Sequence, residues 1–168
     1  VLALSVDDGV TQWRTPLNDL LVAQACAGPH GLVLSQPVPI DGGKKFRPQL
    51  LWLDPATGAL RQTLWPKDFP EMRPKEFQSL GMTRDAQGRL WIVTNQSVPT
   101  RPFETNEVTI YRTSAFNAEG DPIAPKVWFR VSYPWGVGFF NHGVSDLKFG
   151  PDGMLYVSSG SRTDAGET

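Results

Sequence analysis

A short signature that occurs three times constrains the fold of this chain more than any other feature. It reads glycine, one variable residue, leucine, an aromatic residue and two further residues, mostly aliphatic. Residues 88–93 (Gly-Arg-Leu-Trp-Ile-Val) and 153–158 (Gly-Met-Leu-Tyr-Val-Ser) match it 65 positions apart, and a weaker copy lies at 31–35, 57 positions before the first. A hydrophobic segment that returns at such a period predicts repeated β-sheet units.

Tight turns separate the apolar runs and indicate hairpins. The turns fall at 54–58, 85–88 and 151–153, where Asp, Pro and Gly supply the φ angles that turns need. The chain has 16 Gly and 15 Pro, a composition that favours an all-β protein over a helical one. We expect Asp54, Asp85 and Asp152 to cap their own turns rather than bind a metal, and we expect loops over 37–48 and 95–106.

Units of four antiparallel strands at this period are typical of β-propeller blades. We predict an all-β propeller with the remnant of a preceding unit over 1–19, blades over 20–66 and 77–132, and the start of a further blade over 141–168. These make about two and a half blades, fewer than the roughly four of the smallest closed propeller. The sequence therefore predicts a fragment whose partners include the remaining blades of a parent chain. A β-sandwich is the alternative, and it does not require the repeat.

Charge and cysteine content exclude several classes of function. The formal net charge is −1, which does not favour binding to nucleic acid or to an anionic membrane surface. No apolar run approaches the length of a membrane span. Cys26 is the single cysteine, so an internal disulfide and a thiolate metal cluster are excluded. It lies in the apolar run 20–27, where we expect a buried and inert thiol.

His142 is the leading candidate for a chemical role. It precedes the predicted innermost strand of its blade, where propellers carry sites around the central channel, and histidine is the usual general base near neutral pH. A structural histidine that bonds a neighbouring loop is the alternative. Aromatic and polar residues around it are candidate substrate contacts: Trp135, Phe140, Asn141 and Arg162. Packing between blades, for the aromatic residues, and a solvated loop, for Arg162, stay open as alternatives.

The segment 142–160, with the pattern H-x-x-x-D-L-x-F-G-P-D-G-x-L-Y-V-x-x-G, resembles the catalytic blade of the soluble glucose/sorbosone dehydrogenases. These are six-bladed propellers that bind pyrroloquinoline quinone (PQQ) and calcium. The segment 78–82 is similar to the early hairpin of that family, in which a glutamine lies near the cofactor.

The resemblance implies a quinoprotein oxidoreductase acting on a sugar or polyol. His142 would take the proton of the substrate hydroxyl while a hydride passes to PQQ, and Gln78 would contact the cofactor. The calcium ligands are expected outside this chain, and the resemblance does not identify the electron acceptor. A periplasmic or secreted location is suggested by the resemblance alone.

Two other propeller classes are alternatives. A calcium-dependent lactonase or esterase shares the Asp-Gly-x-Leu-aromatic-Val hairpin, but needs acidic and Asn metal ligands around the channel and has no need of His142. A non-enzymatic binding propeller of the yellow/royal-jelly type bears some likeness to residues 77–95. In that class His142 would be incidental, and no redox cofactor should bind.

Overall fold

The computed structural model describes residues 1–5, 7–17, 24–28, 31–64, 81–99, 104–113, 125–135 and 143–160. These residues form separate antiparallel sheets, which confirms the expected all-β class. A single 3-10 turn, Asp41–Gly43, joins the two strands on either side of it. The strands in chain order are β1 (Leu2–Leu4), β2 (Thr11–Arg14), β3 (Gln24–Gly28), β4 (Gly31–Ile40), β5 (Lys45–Leu53), β6 (Leu60–Leu64), β7 (Gly81–Arg84), β8 (Leu90–Pro99), β9 (Glu104–Arg112), β10 (Lys126–Trp135), β11 (Val144–Phe149) and β12 (Leu155–Ser159).

Each sheet is a meander in which consecutive strands are neighbours. Two sheets have four strands, in the orders β3-β4-β5-β6 and β7-β8-β9-β10, and two have two strands, β1-β2 and β11-β12. Antiparallel neighbours can be joined by short turns, which is what the predicted turns at 54–58, 85–88 and 151–153 provide. All three predicted hairpins are confirmed.

The sheets stack face to face because successive side chains of a strand point to opposite faces. In the β3–β6 sheet, Leu34 and Leu51 face the β1-β2 pair, where Trp13 packs against them. Val33 and Trp52 face the other way, toward the β7–β10 sheet. The buried residues of this second interface are Val33, Leu50, Trp52, Met82, Leu90, Ile92 and Tyr111.

The β7–β10 sheet is covered on its second face by the β11-β12 hairpin. Trp91 and Val93 of β8 alternate with Leu90 and Ile92 and therefore point to this side. The buried residues of the third interface are Trp91, Val93, Val108, Ile110, Val144 and Leu147. Each large apolar side chain buried in this way contributes about 1.5–3 kcal/mol. Each four-stranded sheet is thus sandwiched between its neighbours in sequence.

The first strands of three successive sheets are neighbours and run in the same direction. β7 lies beside β3 on one face and beside β11 on the other. Arg84, at the end of β7, donates from Nη2 to the carbonyl of Gly31, just after the end of β3, at 2.9 Å. Val93 on β8 pairs with Gly81, the first residue of β7. Asn95, two residues further along β8, contacts Val144 at the start of β11. The starts of β3, β7 and β11 therefore define one end of the stack, which we call the entry end.

Two predicted loops are wrong, because the strands continue through them. The ladder of β4 with β5 extends over most of 37–48, with Pro37 opposite Pro48, and that of β8 with β9 extends over most of 95–106. Among the described residues, the pairing of β3 with β4 and of β6 with β5 ends before Pro37 and Pro48. Proline, which has no N–H to donate, is tolerated where it has a strand neighbour on one side only.

Candidate functional site

The residues predicted to carry chemistry fall mostly outside the described part of the chain. His142, Gln78, Phe140, Asn141 and Arg162 all lie there. Trp135 is the last residue of β10, and only its backbone is described. The structure does describe the strands that follow two of these residues. His142 precedes β11 by two residues in the sequence, and Gln78 precedes β7 by three.

An asparagine side chain holds the start of β11. Asn95 Nδ2 donates to the carbonyl of Val144 at 2.6 Å, and the backbone N–H of Val144 donates to Asn95 Oδ1 at 2.9 Å. Both hydrogen bonds are buried. The Asn95 amide thus makes the two hydrogen bonds that a neighbouring strand would otherwise make, and it satisfies both backbone polar groups of Val144.

Two further polar side chains continue this contact into the β7–β10 sheet. Asn106 Nδ2 donates to Asn95 Oδ1 at 3.0 Å and to the Tyr133 hydroxyl at 2.7 Å. Asn106 is fully buried, and its Oδ1 has no hydrogen-bond partner within the described ranges. We call Asn95, Asn106 and Tyr133 the asparagine network. Asn106 holds the Asn95 amide through its Nδ2, and Asn95 bonds both backbone groups of Val144, so the network sets where β11 begins.

Strand periodicity explains why Asn95 points at β11. Trp91, Val93 and Asn95 alternate along β8 and share the face that packs on the β11-β12 hairpin. The network was not predicted from the sequence, because residues 95–106 were expected to form a loop. The sequence contained one indication of it. Asn95 continues the alternating apolar positions Trp91 and Val93, and a polar side chain at such a buried position needs a hydrogen-bond partner.

The β11-β12 hairpin itself is closed by its turn. Gly153 adopts φ 77°, Asp152 Oδ1 accepts the N–H of Met154 at 3.0 Å, and the Tyr156 hydroxyl donates to Asp152 Oδ2 at 2.7 Å. The hydrogen bond from Tyr156, followed by that from Met154, lowers the pKa of Asp152. The aromatic residue of the repeated signature thus bonds the turn carboxylate.

In the turn between β7 and β8, the aromatic residue of the signature likewise donates a hydrogen bond to the turn aspartate. Asp85 Oδ2 accepts from Trp91 Nε1 at 2.9 Å and from Arg89 Nε at 2.5 Å, and its Oδ1 accepts the backbone N–H groups of Gln87 and Arg89. Burial alone would raise the pKa of Asp85, but the hydrogen bonds from Trp91 and Arg89 outweigh it and lower the pKa. This turn lies at the end of the stack opposite the entry end.

Asp54 caps its turn as well, accepting the backbone N–H groups of Ala56 and Thr57, both at 2.9 Å. The expectation that all three turn aspartates cap their own backbone is therefore confirmed. In the part of the chain that the structure describes, no group of three or more His, Cys, Asp or Glu residues could hold a metal ion.

A partly buried cation, Arg84, lies at the end opposite the entry end, between the two four-stranded sheets. The Arg84 guanidinium carbon is 4.4 Å from the centroid of the Trp52 ring. Its Nε and Nη1 atoms are buried without a hydrogen-bond partner among the described residues.

Burial raises the pKa of the Cys26 thiol, and the nearby Arg84 offsets part of this rise. Cys26 is half-buried rather than fully buried as expected.

Comparison of the chain with models of known protein families, with curated proteins and with solved structures finds no match. Among the described residues, no helix has the length and apolar character needed to cross a membrane.

Proposed function

We propose that this chain supplies the base-bearing part of a β-propeller oxidoreductase that oxidises a hydroxyl of a sugar or polyol with PQQ as hydride acceptor. The architectural half of the proposal rests on the parallel, adjacent strands β3, β7 and β11. The innermost strands of neighbouring propeller blades have this relationship around a central channel. The four-stranded sheets are then complete blades, and the entry end is the mouth of the channel.

The observation that carries the chemical half is the contact of Asn95 with Val144. His142 lies two residues before Val144, and two residues of extended chain span at most about 7 Å. His142 is therefore proposed to act at the entry end, because the strand that follows it two residues later is held there by a buried polar network. A catalytic group needs such support, because small displacements of a base cost much of its rate advantage.

In the proposed reaction, the neutral imidazole of His142 takes the proton of the substrate hydroxyl. The hydrogen on the same carbon leaves as a hydride with its bonding electrons, and the hydroxyl carbon becomes a carbonyl. PQQ, when bound, supplies the two-electron acceptor for that hydride. Resemblance assigns Gln78 to the cofactor. The candidate substrate contacts are Trp135, Phe140, Asn141 and Arg162.

Calcium does not fit the described residues, since they contain no cluster of metal-ligating side chains. Its ligands are assigned to residues outside this chain, as the resemblance implies, and no step of the proposed reaction depends on the metal. The described residues likewise provide no contact assigned to PQQ. Their part in the proposal is to build the hairpin that follows the base and to fix where it starts.

The test is dye-linked oxidation of a panel of aldoses and polyols by the full-length protein, supplied with PQQ and calcium. His142→Ala should reduce turnover by at least about 100-fold, the usual contribution of a general base. The matched control is His30→Ala. It changes the other histidine, which comes between β3 and β4 in the sequence, and it should leave turnover unchanged.

Two results would overturn the proposal. One is a protein that binds no quinone and oxidises no member of the panel, in which case lactone hydrolysis is the next assay. The other is full activity in His142→Ala, which would remove the base from the mechanism even if a quinone binds.

A further inference from the structure

The chain contains three Asp-Gly dipeptides, at 8–9, 41–42 and 152–153. Each lies between two strands that pair with each other. An aspartate before glycine can isomerise, because the glycine nitrogen can attack the aspartate carboxyl and glycine has no Cβ to obstruct the attack. All three aspartates are exposed, and a Cβ on each glycine would meet nothing within 4 Å. Exposure and space therefore do not distinguish the three positions.

Hydrogen bonds restrain both reacting groups at 8–9. The Gly9 N–H donates to the Ser5 carbonyl at 3.0 Å, and Asp8 Oδ1 accepts the N–H of Val10 at 3.0 Å. The hydrogen bond from Val10 is the main cause that lowers the pKa of Asp8. Cyclisation expels a carboxyl oxygen as water and needs the protonated carboxyl, so a lowered pKa leaves less of the reactive form.

The same two groups are restrained at 152–153. The Gly153 N–H donates to the Gly150 carbonyl at 3.0 Å. Asp152 accepts the N–H of Met154 on one carboxylate oxygen and the Tyr156 hydroxyl on the other. Attack at this position therefore requires the turn to give up hydrogen bonds on both the nitrogen and the carboxyl.

The tip of the β4-β5 hairpin, 41–42, lacks both restraints. Within the described ranges, the Asp41 carboxylate accepts no hydrogen bond and the Gly42 N–H donates none. The hydrogen bond that closes this turn runs from the Lys44 N–H to the backbone carbonyl of Asp41 at 3.2 Å. It occupies neither of the two reacting groups.

The backbone at Asp41 is also strained. Among the described residues, Asp41 is the only non-glycine residue with a positive φ, 51°. The left-handed region is costly for a residue that carries a Cβ, although aspartate tolerates it better than most. A change in the Asp41 backbone therefore gives up less stability than the same change at Asp8 or Asp152, where φ is not positive.

We propose that Asp41 and Gly42 form the preferred site of isoaspartate formation in the folded chain. The Gly42 nitrogen attacks Cγ of the protonated Asp41 carboxyl. The new C–N bond closes a succinimide ring, the C–OH bond breaks, and the hydroxyl leaves as water with the N–H proton. Water then opens the ring at one of two carbonyls. Opening at Cγ restores aspartate, whereas opening at the backbone carbonyl carbon gives isoaspartate, in which the chain runs through Cβ and Cγ.

The modified tip lies at the entry end. Gln24, the first residue of β3, pairs with Ser35, and β4 continues beyond that point through residues 36–40. Isoaspartate lengthens the backbone of this projecting hairpin by one methylene and moves a carboxylate onto Cα. The product is exposed, so it is accessible to a methyltransferase that recognises isoaspartyl carboxylates. The isomerisation does not depend on the redox chemistry proposed above.

The test is incubation of the folded full-length protein at neutral pH in heavy-oxygen water, followed by peptide mapping at mildly acid pH. Each opening of the ring adds one heavy oxygen atom, and enzymatic methylation of the same peptides reports isoaspartate. The 41–42 peptide should be labelled at least about fivefold faster than the other two, since each restraining hydrogen bond lowers the reactive population roughly two- to tenfold. Labelling at 41–42 that is equal to or slower than labelling at 8–9 or 152–153 would overturn the proposal.

Unfolding the chain in urea provides the internal control. The three dipeptides have the same two residues, so their rates should become similar once the turn hydrogen bonds are lost. A preference for 41–42 that persists undiminished in urea would show that the fold does not cause it, and the proposal would fail.

Two variants test the assignment. Tyr156→Phe removes a hydrogen bond from Asp152 and should speed labelling at 152–153 by roughly two- to tenfold without changing the rate at 41–42. An unchanged rate at 152–153 would contradict control by hydrogen bonding. Asp41→Glu cannot form the five-membered ring and should remove the signal from its peptide. A signal retained there would mean that Asp41 is not the reacting residue.

Discussion

Asn95 and Val144 are 49 residues apart, and the side chain of the first binds both backbone polar groups of the second. This pair joins the centre of one sheet to the first residue of the next hairpin. It replaces an inter-strand ladder at a point where two sheets meet face to face, since stacked sheets do not share backbone hydrogen bonds. The start of β11 is thereby set by one side chain.

Asn95→Ala should lower the free energy of unfolding by about 2–3 kcal/mol, because it leaves the buried N–H and C=O of Val144 without partners. Urea denaturation of the purified chain measures this. In Asn95→Asp, the protonated carboxyl can still donate to the Val144 carbonyl but the carboxylate cannot, so this variant should be least destabilised at acid pH. Gln87→Ala, in an exposed turn, is the control. An unchanged midpoint in Asn95→Ala would contradict the role assigned to the network.

Alanine substitutions at Gly58 and Gly153 distinguish the cost of positive φ from the cost of a steric collision by the added methyl group. Both adopt positive φ, 71° and 77°, which costs a non-glycine residue about 1 kcal/mol. A Cβ at Gly58 would also collide with the Trp13 ring, whereas a Cβ at Gly153 meets nothing within 4 Å. Gly58→Ala should therefore be more destabilising than Gly153→Ala, by at least about 1 kcal/mol. Equal thermal unfolding temperatures for the two variants would show that β1-β2 does not pack on this turn.

The carboxyl of Asp85 should make stability depend on pH. Its pKa is lower in the folded chain than the value of about 3.9 expected when the chain is unfolded. Its stabilising contribution is therefore complete above that value and is lost as the pH falls through the folded-state pKa. At pH 7, Asp85→Asn should be less stable than the parent by about 1–2 kcal/mol. The difference should shrink below about pH 4, as measured by denaturant titration at each pH. A gap that is equally large at pH 2.5 and pH 7 would contradict this explanation.

Cys26 should react slowly with iodoacetamide, because burial raises its pKa and the thiolate is the reactive form. The midpoint of its alkylation rate against pH should lie above the ordinary thiol range. Arg84→Met keeps a long side chain over Trp52 but removes the charge that favours the thiolate, so the midpoint should move further up. Arg89→Met, in the neighbouring turn, should leave it in place. A midpoint that moves down in Arg84→Met would mean that Arg84 does not act on Cys26 electrostatically.

The hairpins of this chain were predictable because their determinants are local. A turn such as 151–153 needs proline at fixed φ and glycine at positive φ, and the flanking strands need alternating apolar residues. The strand ends were less predictable. Pro37 and Pro48 indicate a loop when read singly, but they lie opposite each other within the ladder of β4 with β5.

The candidate site was predictable only in part. His142 could be singled out from its residue type and its position before a predicted strand. The network around Asn95 could not, because its hydrogen bonds connect β8, β9, β10 and β11, which come together only after two sheets have formed and stacked.

By itself, the sequence determined the all-β class, the turns and the pairing of strands across those turns, since φ preferences and the two-residue period act over a few neighbouring positions. The tertiary structure decided how far each ladder runs, which sheet face covers which, and which side chain holds the start of β11. These depend on contacts between residues distant in sequence, and no local preference of the chain specifies them.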